Sequence, residues 1–111
     1  MCLDNEIGSP KIIVFGENHH NTLGLIRSLG EIGLFSYLVL VNSNGLYPFV
    51  AKSRYIKKVW IVDNVHDGLG VILSAFNEEE CKPLIFPTYD SEVKILGVNF
   101  EKMKDKFILP A

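Results

Sequence analysis

Five consecutive residues, Glu17-Asn18-His19-His20-Asn21, place one carboxylate, two amides and two imidazoles in a single short stretch directly after Gly16. Such a set could hydrogen-bond a polar small molecule, hold a metal ion or move a proton. A metal fits poorly: on extended chain the adjacent His19 and His20 point apart, and His66 would join them only if the first and third strands were neighbours. The three histidines are therefore read as solvated loop residues, and no metal ligand is assigned. A dinucleotide loop is only weakly indicated, because Gly16 has no second or third glycine at the spacing that lets backbone approach a pyrophosphate. No Gly-Lys-Ser/Thr follows either, so the chain has no phosphate loop of its own. Two further stretches carry usable groups. Ser53-Arg54-Tyr55 offers an arginine fork for an anion, or simply a solvated turn, and Pro87-Thr88-Tyr89-Asp90 offers a helix cap or a ligand loop. Asn18 and Asn21, taken singly, read as turn and cap residues.

The elements that position these residues follow from hydrophobic period. The continuous apolar run Ile12–Phe15 reads as a strand buried on both faces, the centre of a parallel sheet, whose carboxyl-end loop is where ligands bind. Leu25, Ile26, Leu29 and Ile32 repeat at helical spacing, with Asn21 or Thr22 as N-cap and Gly33 as C-cap. Tyr37–Val41 is a second strand, Asn42-Ser43-Asn44-Gly45 a turn, and Phe49–Lys52 one helical turn in an irregular connection. Val59–Val62 is the third strand. A second helix follows, capped by Asp63, Asn64 or Asp67, with Leu69, Ile72, Leu73 and Phe76 facing inward. Leu84–Phe86, between Pro83 and Pro87, suits an edge strand. Asp90 or Ser91 caps a third helix with Val93, Leu96 and Phe100 on one face. Asn99 breaks it, and Glu101–Lys106 forms a short charged helix with Met103 and Phe107 facing in. The pattern predicts an α/β fold: a small doubly wound parallel sheet of about four strands, Rossmann-like, in order 2-1-3-4. Its crevice would be lined by Gly16–Asn21 and Asp63–Asp67, and all three polar loops are expected at one end of the sheet.

Composition narrows the class. At 111 residues and 48% apolar, the chain suits a single core, with a disordered leader over 1–10, the folded unit over 11–106 and the start of a linker over 107–111. Eleven basic against thirteen acidic residues, with no basic face, argue against nucleic acid as a partner. Cys2 and Cys81 read as two reduced thiols. The first ten residues lack the basic start and apolar stretch of a signal peptide, and no run is long enough to span a membrane, so a cytoplasmic protein is expected.

Taken in order, Val14-Phe15-Gly16, then Asn21-Thr22-Leu23-Gly24-Leu25-Ile26-Arg27-Ser28-Leu29-Gly30, Ser53-Arg54-Tyr55, Pro87-Thr88-Tyr89-Asp90 and Lys106-Phe107-Ile108-Leu109-Pro110 resemble the amino-terminal, pre-ATP-grasp domain of ATP-grasp ligases. The likeness is to the carbamoyl-phosphate-synthase-like and carboxylate–amine ligase branch and runs from Lys11 onward. It implies a substrate-side domain of an enzyme that uses ATP and magnesium to form an acyl phosphate on a small-molecule carboxylate, which an amine then attacks. The residues implied to shape the substrate side are Gly16, Glu17, Asn18, Asn21, Arg54, Thr88 and Asp90. No catalytic residue and no cofactor is implied within these 111 residues, because the family's nucleotide and metal ligands lie further along. The implied partners are the ATP-grasp domains of the same parent chain, and the apolar Phe107-Ile108-Leu109 stretch could instead fold back on the sheet or join two copies as a homodimer. The rival reading is a free-standing flavodoxin- or receiver-like module that binds or senses a small molecule. A phospho-receiver needs an acidic pair after the first strand, an aspartate ending the third and a later lysine; only Asp63 fits.

Overall fold

The computed structural model describes residues 10–43 and 45–109. Most of the expected leader, Cys2, Asn44 and Pro110-Ala111 lie outside the described residues. Four parallel strands, β1 (Ile12–Glu17), β2 (Ser36–Val41), β3 (Ile56–Val62) and β4 (Leu84–Pro87), form one sheet in the order β3-β2-β1-β4. Four helices complete the fold: α1 (His20–Glu31), α2 (Val65–Ala75), α3 (Asp90–Val98) and the single turn α4 (Phe100–Met103). A 3-10 turn, Phe49–Lys52, interrupts the β2–β3 connection. The expected Rossmann-like α/β fold is therefore what the chain adopts.

Alternation along the strands divides the core into two layers. Ile13, Phe15, Val39 and Val41 face α2, α3 and α4 and pack with Leu69, Ile72, Phe76, Leu96, Met103 and Phe107. Val14, Leu38 and Leu40 face the other way, against Ile26 of α1 and Val50 of the 3-10 turn. Both faces of β1 and β2 are thus covered, as continuous apolar runs require. Gly68 sits where α2 crosses the sheet, and a Cβ there would strike the Phe15 ring. Gly33 takes φ +89° just past α1, where its N–H donates to the Gly30 carbonyl and that of Leu34 to Leu29, a Schellman ending.

The strand order differs from the expected 2-1-3-4. The Asn42–Tyr55 connection carries only one 3-10 turn, packed on the α1 face through the buried Val50, and β3 settles beside β2. β3 is an edge strand, with Lys57, Lys58 and Ile61 exposed along it. β4 is the other edge, as its prolines suggested, and pairs in register with β1 from Ile12↔Leu84 to Phe15↔Pro87. The point where chain direction reverses therefore lies between β1 and β4, not between β1 and β3. Phe107 is buried in the core, and Ile108 forms a parallel bridge to Leu84 on the outer side of β4. Among the described residues no helix is long and apolar enough to cross a membrane. Cys81 is disulfide-bonded, in place of the reduced thiol expected.

Candidate functional site

The carboxyl ends of β1, β2 and β4 open onto a cleft of about 320 Å³ lined by Glu17, Asn18, His19, Val41, Asn42, Ser43, Tyr89 and Ser91. Its position is where an open parallel sheet binds ligands. Three of its walls come from the loop after β1, the turn after β2 and the first turn of α3.

The β1–α1 junction is built tightly. His19 is the N-cap of α1, its Nδ1 accepting from the Asn21 N–H at 3.2 Å, so a neutral ring carries its proton on Nε2. The expected caps, Asn21 and Thr22, lie inside the helix. Asn18 Nδ2 donates to the Tyr47 carbonyl at 2.8 Å and Asn18 Oδ1 accepts from the Val50 N–H at 3.3 Å. That side chain clamps the β2–β3 connection through both ends of its amide. Thr22 is fully buried, and its hydroxyl meets that of Thr88 at 2.9 Å, pinning α1 to the β4–α3 loop. Gly16 is required beneath this pair, because a Cβ there would run into both threonine hydroxyls.

The α3 side is different. Glu92 is fully buried, one oxygen accepting from the Ser91 hydroxyl at 3.1 Å and the other, Oε2, having no hydrogen-bond partner. The same Ser91 hydroxyl lies 3.3 Å from Glu17 Oε2. Its one proton can serve only one carboxylate at a time. Burial, and then the neighbouring Glu17, push the Glu92 carboxyl up from 4.5 to about 8. Asn42 adds a third acceptor: its Nδ2 donates to the Leu46 carbonyl at 2.8 Å, while its Oδ1 is buried with no partner.

Of the residues singled out in the sequence, Gly16, Glu17, Asn18 and Thr88 meet at this end of the sheet. Asn21 and Asp90 flank it on the exposed first turns of α1 and α3. Arg54 does not join them. It precedes β3 and so lies at the opposite, amino end, where its Nη2 donates to the Tyr55 hydroxyl at 2.8 Å and its guanidinium stacks on that ring. Tyr55 in turn packs against Gly30, where a Cβ would run into its ring. The three polar loops are thus split between two ends. Asp63–Asp67 is also displaced from the turning point: Asn64 caps α2, accepting from the Asp67 N–H at 2.8 Å, and β2 stands between His66 and the histidines after β1. Glu92, Ser91 and Asn42 were not singled out as ligand groups, whereas Tyr89 belongs to the stretch read as a helix cap or ligand loop. The spacing Glu92, Ile95, Leu96 is i, i+3, i+4, which places Glu92 on the inward face of α3; Val93, expected inward, is 51% exposed.

No protein-family model matches the chain, and no curated protein matches it in sequence.

Proposed function

We propose that this chain is the substrate-side, pre-ATP-grasp domain of an ATP-dependent ligase that joins a carboxylate to an amine, with the cleft at the β1/β4 turning point as its part of the substrate site. One observation carries the reading: the loops that follow β1, β2 and β4 converge on a cleft that bears unspent polar groups. The ordered motifs from Val14 to Leu109 support the ligase assignment, and the β1–α1 junction supports a division of labour. With Gly16, Asn18 and Thr88 committed to building the loop, Glu17 is left to face a substrate. The glycine pattern that brings backbone to phosphate is missing after β1, so ATP and magnesium would be held by further domains of the parent chain. A groove of about 510 Å³, lined by Phe86, Val93, Leu96, Phe100 and Leu109, offers those domains an apolar face to dock on.

The test is the parent protein. Its reading frame should continue into an ATP-grasp core, and the full chain should release phosphate from ATP only when both a carboxylate and an amine are supplied. The 111-residue chain alone should bind no ATP in calorimetry at micromolar concentrations. Tight ATP binding to it, or a reading frame without such a core, would overturn the ligase reading in favour of a free-standing small-molecule module using the same cleft.

A further inference from the structure

We propose that the cleft over β1, β2 and β4 receives the ammonium group of a ligand, held by the Glu17 carboxylate and the Asn42 Oδ1, with Glu92 behind them as a second negative group. The argument is an inventory of what the cleft has left to offer. Each of its two side-chain amides already gives one N–H to the protein, Asn18 to the Tyr47 carbonyl and Asn42 to the Leu46 carbonyl. Its acceptors are in surplus. Asn42 Oδ1 is buried and unpartnered, Glu92 Oε2 is buried and unpartnered at the wall formed by Ser91 and Glu17, and one serine proton is divided between two carboxyl groups. A buried acceptor without a donor costs roughly 1–3 kcal/mol, which a ligand bringing N–H groups would recover. Among the described residues, no lysine or arginine lines the cleft. The nearest ring donors are His19 Nε2 and the Tyr89 hydroxyl, whose rings meet edge-on with centroids 5.4 Å apart. A carboxylate ligand would therefore face Glu17 with no fixed cation to hold it, whereas an alkylammonium supplies three donors and the missing charge.

Binding also has a proton balance. Glu92 keeps its proton near neutral pH because it is buried beside Glu17. When R–NH3+ enters, its positive charge offsets the repulsion from Glu17 that opposed a second negative charge, and the Glu92 proton leaves to solvent as the cation is taken up. Assigning this ammonium to the amine substrate rests on the ligase reading; the binding itself does not.

The experiment uses 1,4-diaminobutane, with 1,4-butanediol and butanoate as uncharged and anionic counterparts, titrated into the 111-residue chain at neutral pH. Backbone amide resonances of Glu17, Asn42 and Ser91 should shift saturably with the diamine and with neither counterpart. Calorimetry in phosphate and in Tris should give different heats, in the sense of proton release to buffer. Glu17→Gln, an isosteric change at a strand end, should weaken binding about tenfold or more, as expected for loss of a charged hydrogen bond. Glu92→Gln should bind more weakly and release no proton. Should Glu17→Gln perturb the fold, Asn42→Asp offers an independent variant, expected to tighten diamine binding by adding charge at the same atom. Butanoate shifting the same amides, diamine shifts indifferent to Glu17→Gln or Asn42→Asp, or no saturable shift in the millimolar range would overturn the proposal. Because no ATP or second domain enters this assay, its outcome is independent of phosphate release by the parent chain.

Discussion

The two β–α junctions that frame the cleft look alike in composition and differ in accounting. After β1, three side chains close on the protein itself: Asn18 on two backbone groups, His19 Nδ1 on the Asn21 amide, Thr22 on Thr88. After β4, the first turn of α3 leaves Glu92 Oε2 unpartnered and makes Ser91 divide one proton between Glu92 and Glu17. A dense cluster of amides and imidazoles is thus a piece of loop architecture, while the smaller, less conspicuous set carries unsatisfied capacity. What distinguishes the proposed site is the hydrogen bonds that remain unmade.

If that contrast is real, the α3 side should be sensitive to pH and the β1 side to geometry. The largest effect is expected from Glu92. Its folded-state pKa of about 8 lies above the ordinary 4.5, so between those values the native chain holds a proton that the unfolded chain has released. Stability should therefore be fully present below about pH 4.5, fall as pH rises through 8 by at most about 1.4 kcal/mol per pH unit, and level off above. Chemical denaturation across this range should show the slope in the wild type and a flatter line in Glu92→Gln. A wild-type profile as flat as the variant's would erase the difference between the junctions.

Next in size is Gly16→Val, which forces a branched side chain into the Thr22–Thr88 pair and should cost about 2–3 kcal/mol by overpacking, measured as a drop in the denaturation midpoint. The smallest is Asn18→Ala. It removes two bonds to the β2–β3 connection and should cost roughly 1–2 kcal/mol, accompanied by faster amide exchange at Val50. Asn18→Ala leaving diamine binding unchanged would sharpen the comparison, since it would separate building the loop from using it.

Much of this was legible in the chain because it depends on local pattern. The apolar runs at Ile12–Phe15 and Tyr37–Val41 announced buried parallel strands, Gly33 announced the end of α1, Asn99 the break after α3, and Met103 and Phe107 their burial. Strand order was not legible in the same way, because it is decided by which edge β3 reaches through a connection with one 3-10 turn, a matter of packing over distance. Placing Arg54 with the strand-end loops failed for a simpler reason: a residue that precedes a parallel strand lies at the end opposite to those that follow one. Glu92 was hidden by its charge. Reading Val93 as the inward residue obeyed hydrophobicity, whereas the helix turned a carboxyl inward, against the Ser91 hydroxyl.

The Ile108 bridge bears on how the sheet meets other chains. Outward-facing positions on β4 alternate, and at the first of them the Ile108 N–H donates to the Pro83 carbonyl while the Ile85 N–H donates back to the Ile108 carbonyl. The next such position, Pro87, has no N–H to give. A stray strand arriving at this border finds its hydrogen-bonding positions occupied or chemically absent, so recruitment by strand addition is steered to the opposite border at β3. There Lys57 and Lys58 stand exposed, lying over the rings of Tyr37 and Trp60, and a newcomer would have to strip water from both ammonium groups before pairing. The chain thus guards one border with backbone and the other with charge, and loss of the two lysine charges, as by acetylation, would leave β3 as the one border open to fibrillar growth.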